Sequence, residues 1–395
     1  MRIGIDACCW SNRRGFGRFT RELVTHMARR PRGHEIVLVV DRQTAAQHAM
    51  PEGCRVQVVP TREQPTRAAS AQGARGLGDL WRLSRGASAC DADVFFFPAV
   101  YSYFPVARRR PMVVAFHDAI AEEHPDLVLP EWRGRMLWKA KTWLARRQAA
   151  CLLTVSENAR MQIVTAFGYP RERIHVVAEA AGEEFRPLDD AERASLGTVL
   201  RTYGLPADRP LLVYVGGLSP HKNLEGLLTA MARLRQRGGR AHLAIVGDPA
   251  ADGFNSSHSA LFAGRKTLGL VDAVTFTGYV PGPDLVSLYN AASAVVLPSF
   301  SEGFGLPALE AMACGVPVAA SRGGALPEVV GDAGLFFDPR DAEEMARILE
   351  QLVADDALRA RLGEAGRRRA RLFSWAAAAE KTLDLLEEVA RGPAS

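Results

Sequence analysis

Two acids, Glu302 and Glu310, bracket the stretch SEGFGLPALE, which is otherwise glycine, apolar residues and one proline. Gly303 and Gly305 would let the backbone come close to a ligand. Pro307 suits the first position of a helix, and the unpaired N–H groups that open a helix form a site for an anion such as phosphate. An acid aimed at that phosphate would repel it. The two carboxylates make sense if they face the hydroxyl-bearing parts of the same ligand, since a carboxylate accepts paired hydrogen bonds from vicinal hydroxyls. One loop could then hold a nucleotide diphosphate-sugar, with backbone for the phosphate and one acid for each sugar. Taken singly, the two residues would be a solvated acid and a first-turn acid favoured by the helix dipole. The glycine–proline setting favours the ligand.

A second segment points the same way. GGLSPHKN (216–223) follows an apolar strand and opens a helix, and Lys222 there supplies a point charge for a diphosphate. GFG (15–17) after the first strand is the corresponding glycine loop of the other half, a short pattern that is weak alone. His117 ends a strand, where it is either a buried, satisfied histidine or a substrate neighbour. Asp118 beside it reads first as a cap for the next segment. DAD (91–93) has the form of a metal-binding triplet, but it runs straight into the strand VFFFP and reads as a turn.

The elements that must position these residues follow from hydrophobic pattern. In the second half, PLLVYVGGL, AHLAIVGD, VTFTGYV, SAVVLPS and GVPVAAS are short apolar strands ending in turn signals. NLEGLLTAMARLRQRGG has helical spacing and stops at Gly238–Gly239, and ALPEVVG is a short helix. In the first half, RIGIDA, HEIVLVV, ADVFFFP, PMVVAFHD and ACLLTVS read as strands, and GFGRFTRELVTHMAR as a helix. Residues 62–89 give no clear strand signal. Residues 180–208 read as a linker, and FSWAAAAEKTLDLLEEVAR as a final amphipathic helix. Strands alternating with helices imply right-handed crossovers and parallel, doubly wound sheets. At 395 residues, two such domains are expected.

Composition narrows the setting. No run reaches the roughly 18 apolar residues of a membrane-spanning helix, and MRIGIDACCW lacks a cleavable signal pattern, so a cytoplasmic protein is expected. Six scattered cysteines without CxxC spacing are expected to be reduced, with neither a disulfide framework nor a zinc site. Residues 1–185 carry 27 Lys+Arg against 19 Asp+Glu, and the remainder 22 against 25. The two halves therefore meet different partners, or the excess reflects an arginine-rich coding bias, with 44 of the 49 basic residues being Arg. WRGRMLWKAKTWLARR (132–147) mixes three tryptophans with basic residues. It is either an interfacial membrane helix or a domain helix whose arginines form the wet face.

At these residues the chain resembles the retaining nucleotide-sugar glycosyltransferases of family 4, mannosyltransferase-like members included. The resemblance is carried by the E-x7-E motif within PSFSEGFGLPALEAMACGVPV, by GFGRFTREL, by HD at His117–Asp118, by TVSENAR and by SPHKN. It implies an α/β protein of the GT-B fold, with two Rossmann-like doubly wound domains facing each other across a cleft. The acceptor-side domain would be 1–185 with 374–391 packed back on it, and the nucleotide-sugar domain 186–373. It further implies hexosyl transfer with no metal or cofactor, the donor being a substrate: GDP-mannose first, then a UDP-sugar. Glu302 would contact the donor hexose, Glu310 the ribose and Lys222 the diphosphate. The backbone of Gly303, Phe304, Gly305 and Leu306 would meet sugar and phosphate. His117 would lie beside the transferred sugar and Gly17 near the diphosphate, with Gly217, His221 and Val280 also on the donor. The acceptor would be a glycan, a lipid-linked chain or a small molecule, with no nucleic-acid partner. One departure stands out: many members have arginine where this chain has Gly217, so His221 or Arg18 compensates or the diphosphate is held more weakly. Rival readings on the same fold are a sugar-nucleotide epimerase, a sugar-phosphate synthase, and a non-catalytic nucleotide-sugar-binding subunit of a cell-envelope assembly.

Overall fold

A computed structural model describes residues 1–62, 76–106, 110–248 and 257–392. The chain forms two compact units. Unit 1 comprises Met1–Glu179 together with the segment from Ser374 onward, and unit 2 comprises Ala180–Phe373.

Unit 1 is built on a seven-stranded parallel sheet: β1 (Arg2–Asp6), β2 (Glu35–Asp41), β3 (Arg55–Val59), β4 (Val94–Phe97), β5 (Met112–Ala115), β6 (Cys151–Thr154) and β7 (Ile174–Val176). Its strand order is β3-β2-β1-β4-β5-β6-β7. Strands such as VFFF and MVVA are buried along their whole length, as a parallel sheet covered by helices on both faces requires. The final helix, Trp375–Arg391, lies against the helix Gly15–Arg29 of this unit. Leu383 and Leu386 are fully buried there, and the Trp375 ring meets Phe19 edge-on at 5.9 Å. Arg30–Glu380, Arg32–Asp384 and His34–Glu387 contacts rim the packing.

Unit 2 has a six-stranded parallel sheet: β8 (Leu211–Val215), β9 (His242–Val246), β10 (Val274–Gly278), β11 (Ala294–Leu297), β12 (Val318–Ser321) and β13 (Gly334–Phe337), in the order β10-β9-β8-β11-β12-β13. Its core joins Leu212, Tyr214 and Ile245 of the sheet to Leu227, Met231 and Leu349 of the covering helices. Residues 180–208 do not form a bare linker. They hold the helices Asp190–Arg193 and Leu196–Thr202, the first fixed by a reciprocal capping box between Asp189 and Glu192.

The strand order reverses between β1 and β4 in unit 1 and between β8 and β11 in unit 2. Loops leaving the carboxyl ends of the strands on either side of such a reversal diverge and leave a crevice, where open α/β sheets bind ligands. The segments singled out in the sequence leave these strands: GFG after β1, SPHKN after β8 and SEGFG after β11.

Candidate active site

In unit 2, the loops after β8 and β11 are sewn to each other. The Phe300 N–H donates to the His221 carbonyl at 2.9 Å, and Asn223 Nδ2 donates to the Pro298 carbonyl at 3.0 Å. Asn223 itself sits at φ +55°, a left-handed conformation that asparagine tolerates, and from there it starts the helix Leu224–Gln236. This places Lys222 and Glu302 face to face. Lys222 Nζ lies 2.8 Å from each carboxylate oxygen of Glu302, and Ser299 Oγ donates to Oε1 at 2.6 Å. The two side chains are only 20 and 14% exposed, so the ion pair is partly shielded from solvent. The cation of one loop and the acid of the other therefore neutralise each other.

The helix after the glycine loop runs Leu306–Ala313, one residue earlier than the proline signal predicts, so Pro307 takes its second position. Proline has no N–H, and the amides this end can offer an anion are those of Leu306 and the loop ahead of it. Gly305 adopts φ +102°, and a Cβ there would stand 2.7 Å from Leu326 Cδ2. Glycine is needed at that point for both reasons. Glu310 is 2% exposed within the helix, and its Oε2 accepts from the Tyr289 hydroxyl at 2.7 Å. The tyrosine fixes which way the carboxylate points.

The glycines before Lys222 are close-packed. Gly216 Cβ would meet the Tyr214 hydroxyl at 2.6 Å, and that hydroxyl donates to the Gly217 carbonyl at 2.6 Å. The position that lacks arginine is thus held by its backbone. His221 lies buried in the short turn Pro220–Lys222, its carbonyl used as above; Arg18 belongs to unit 1. Phe304 is buried, with its ring edge-on to Phe373 at 5.7 Å, and Val280 is buried in the loop after β10.

In unit 1, Gly17 is the third residue of its helix. A Cβ there would fall 2.1 Å from the Asn12 carbonyl, so the glycine lets the loop after β1 fold over the helix start. His117 is buried; its Nε2 donates to the Pro98 carbonyl at 2.8 Å, and its Nδ1 faces Glu179 Oε1 at 3.5 Å. Asp118 Oδ1 accepts from the Ile120 N–H at 3.0 Å, capping the turn as the sequence suggests. Burial pulls the His117 imidazole down, but the Glu179 carboxylate and the Pro98 carbonyl outweigh it, and the ring titrates above its ordinary value. A raised folded value means that the pair stabilises the fold fully below about pH 6.5 and loses that contribution as pH climbs through the higher value. The gap in unfolding temperature between wild type and Glu179→Gln is accordingly expected to be wide at pH 6 and narrow at pH 9. Equal gaps at both pH values would show that His117 is not held charged.

Asp91 and Asp93 of the DAD triplet are occupied as a turn. Asp91 adopts φ +50° and pairs with Arg110 at 2.7 Å, while Asp93 accepts from the Arg2 N–H at 2.6 Å. Among the described residues no group of three or more His, Cys, Asp or Glu could hold a metal ion. Several supporting residues carry no sequence signal of a role at the site. Gly323 and Gly324, in the loop after β12, let that loop lie against the acid loop: a Cβ on Gly324 would fall 2.3 Å from both N and O of Glu302, and the Ala325 N–H donates to the Glu302 carbonyl at 2.9 Å. Tyr289, Ser299 and Glu179 are likewise recognisable only once their partners are in place. The GG pair by itself signals only a turn.

Comparison with known proteins bears on both units. The family described as "Glycosyl transferases group 1" matches residues 199–369, and "Glycosyltransferase Family 4" matches residues 13–180. The O-antigen chain mannosyltransferase B of Escherichia coli is 37% identical over 283 residues, 71% of each chain. A D-inositol 3-phosphate glycosyltransferase of Frankia alni is 36% identical over 309 residues, 73% of each chain. Among solved structures, a sucrose-phosphate synthase from Thermosynechococcus elongatus superposes with a TM-score of 0.77 at 21% identity, over 98% of each chain, a likeness of fold.

Proposed function

Because this chain belongs to the family 4 glycosyltransferases of the GT-B fold, we propose that it moves a hexose, mannose first, from a nucleotide diphosphate-sugar to an acceptor hydroxyl with retention. The observation that carries this reading is the Lys222–Glu302 pair at the strand-order reversal of unit 2, beside the start of the Leu306–Ala313 helix. A donor entering here separates the pair. Lys222 turns to the diphosphate, and Glu302, kept in place by Ser299, accepts from the hexose hydroxyls. Glu310, oriented by Tyr289, accepts from the ribose. The amides of Phe304 to Leu306 face phosphate and sugar.

In the transfer the bond from the anomeric carbon to the diphosphate oxygen breaks through an oxocarbenium-like state. A bond to the acceptor oxygen forms on the same face, and the acceptor's proton passes to the departing diphosphate. Lys222 and the helix start stabilise the negative charge that grows on the leaving group, the electrostatic form of catalysis. Mannose is named first because of the HD and SPHKN motifs, and the E. coli relative carries the name mannosyltransferase. The acceptor is a hydroxyl of a glycan, a lipid-linked chain or a small molecule.

Thermal unfolding with a panel of nucleotide sugars tests the reading, since a ligand stabilises in proportion to concentration over Kd. GDP-mannose at about a hundred times its Kd is expected to add roughly 2.7 kcal/mol, several degrees in Tm, with UDP-glucose adding less. No shift with any donor would remove the basis of the proposal.

A further inference from the structure

The helix Trp132–Gln148 of unit 1 carries large apolar side chains on both its faces. Its inner face buries Trp138, Thr142 and Ala145. That face is fixed by Trp138 Nε1 donating to Glu122 at 2.7 Å, and by Lys141 Nζ donating to the Tyr101 carbonyl at 2.9 Å. The Tyr101 ring stacks on Trp138 with centroids 5.3 Å apart. The helix is therefore seated in its unit by one tryptophan, and its core requirement is met.

The outer face does not follow from folding. Trp132, Met136, Leu137 and Trp143 are 65, 61, 57 and 56% exposed. At about 100° per residue, Trp132, Met136 and Trp143 fall within roughly 40° of one another around the axis, a single stripe. Isolated exposed apolar residues are ordinary, but three large ones aligned along one face of a helix, with an exposed lysine among them, mark a surface that meets something. The same helix holds Arg133, Arg135, Lys139, Lys141, Arg146 and Arg147 and no acid. Arg133 and Arg147 lie over the Trp132 and Trp143 rings at 5.5 and 5.8 Å, and Lys139 is exposed between the two tryptophans.

We propose that this outer stripe docks the chain onto an anionic bilayer surface, the helix lying in the plane of the headgroups. Tryptophan settles at the level of the headgroups, where its ring is half in hydrocarbon and its N–H is wet. Lysine and arginine alongside meet acidic headgroups, each adding to the attraction. A second copy of this chain fits the surface less well, because it would set an acid-free cationic helix against its own charge. Among the described residues no helix is long and apolar enough to cross a membrane, so the contact is interfacial. The docking does not depend on the sugar-transfer reading, and its test reads lipid binding and no turnover.

The full chain is sedimented with phosphatidylcholine vesicles and with equimolar phosphatidylcholine–phosphatidylglycerol vesicles. Partition onto the anionic vesicles is expected to exceed that onto the neutral ones by at least about tenfold, and to fall as salt rises from about 0.05 to about 0.5 M. The triple change Trp132→Ser, Met136→Ser and Trp143→Ser, all on the outer face, is expected to lower it about tenfold or more, with an unchanged circular dichroism spectrum. Lys139→Glu with Arg147→Glu, which leaves the apolar stripe in place, is expected to abolish the preference for anionic vesicles. Equal partition onto both vesicle types overturns the proposal, as does undiminished binding by the triple variant. So does light scattering that shows a wild-type dimer, made monomeric by the triple change, with no vesicle binding.

Discussion

Glu302→Gln is expected to cut hexosyl transfer on the order of 10²–10³-fold, the range typical of losing one charge-aligned group at a reacting centre. Glutamine keeps the shape but turns one of two acceptor oxygens into a donor. It would then present N–H to Lys222, which now lies 2.8 Å from both oxygens, and to the hydroxyls of the sugar. The expected stability change is small by comparison. The pair is partly exposed, and Lys222 can swing toward water when its partner is neutral, so about 1 kcal/mol is lost, a Tm drop of a few degrees. Donor turnover with a saturating acceptor, measured beside thermal unfolding, separates the two effects. Wild-type turnover by Glu302→Gln would end the assignment of this residue to the donor sugar.

Gly324→Ala is expected to lower turnover through the backbone of Glu302, although Gly324 itself is not placed against the ligand. Gly324 adopts φ +60°, and the added methyl would fall 2.3 Å from both N and O of Glu302, where real side chains do not sit. Backbone cannot yield as a flexible side chain can, so the loop after β11 must shift and carry Glu302 away from Lys222. The left-handed conformation alone costs roughly 1–2 kcal/mol for alanine, and the clash adds to it. Turnover is expected to fall at least about tenfold, since small misplacements at a reacting centre are expensive. Gly269→Ala is the control: its φ of +68° imposes the same conformational cost, but nothing lies within 4 Å of the new methyl. It should lose stability and keep activity. If both variants retain activity, the loop after β12 does not position Glu302.

The pattern of what the sequence revealed follows from how each element is buried. Ten of the strands announce themselves as apolar runs or as a glycine-ended strand. The other three, β3, β7 and β13, lie at sheet edges, and β13 is an apolar run of only four residues, GLFF. There β3 alternates Arg55 and Gln57 with half-exposed Val56 and Val58, and β7 is three residues long. Where an edge strand is covered by less protein, as at β3, it needs less apolar character. The helix Leu77–Ala89 was hidden in a stretch without strand signal, part of which, 63–75, lies outside the described residues. At the candidate site, the residues proposed to meet a ligand stand out in the sequence because acids, lysine and glycine in a loop context are unusual. Those that act on other residues, Tyr289 on Glu310 or Gly324 on Glu302, were not, because their meaning lies in contacts far apart along the chain. The helix 132–148 shows the same limit from the other side. Its tryptophans were plain in the sequence, but only packing shows that Trp138 faces in while Trp132 and Trp143 face out.

The last helix has a consequence for how the protein is made. Trp375–Arg391 completes unit 1, yet the whole of Ala180–Phe373 is synthesised before it. At roughly 5–20 residues per second, the nascent first unit waits on the order of ten seconds or more with the surface around Phe19 uncovered. During that interval unit 2 is contiguous and can close upon itself as it leaves the ribosome. The part translated first is then finished last, and chaperones have most reason to hold the amino-terminal half.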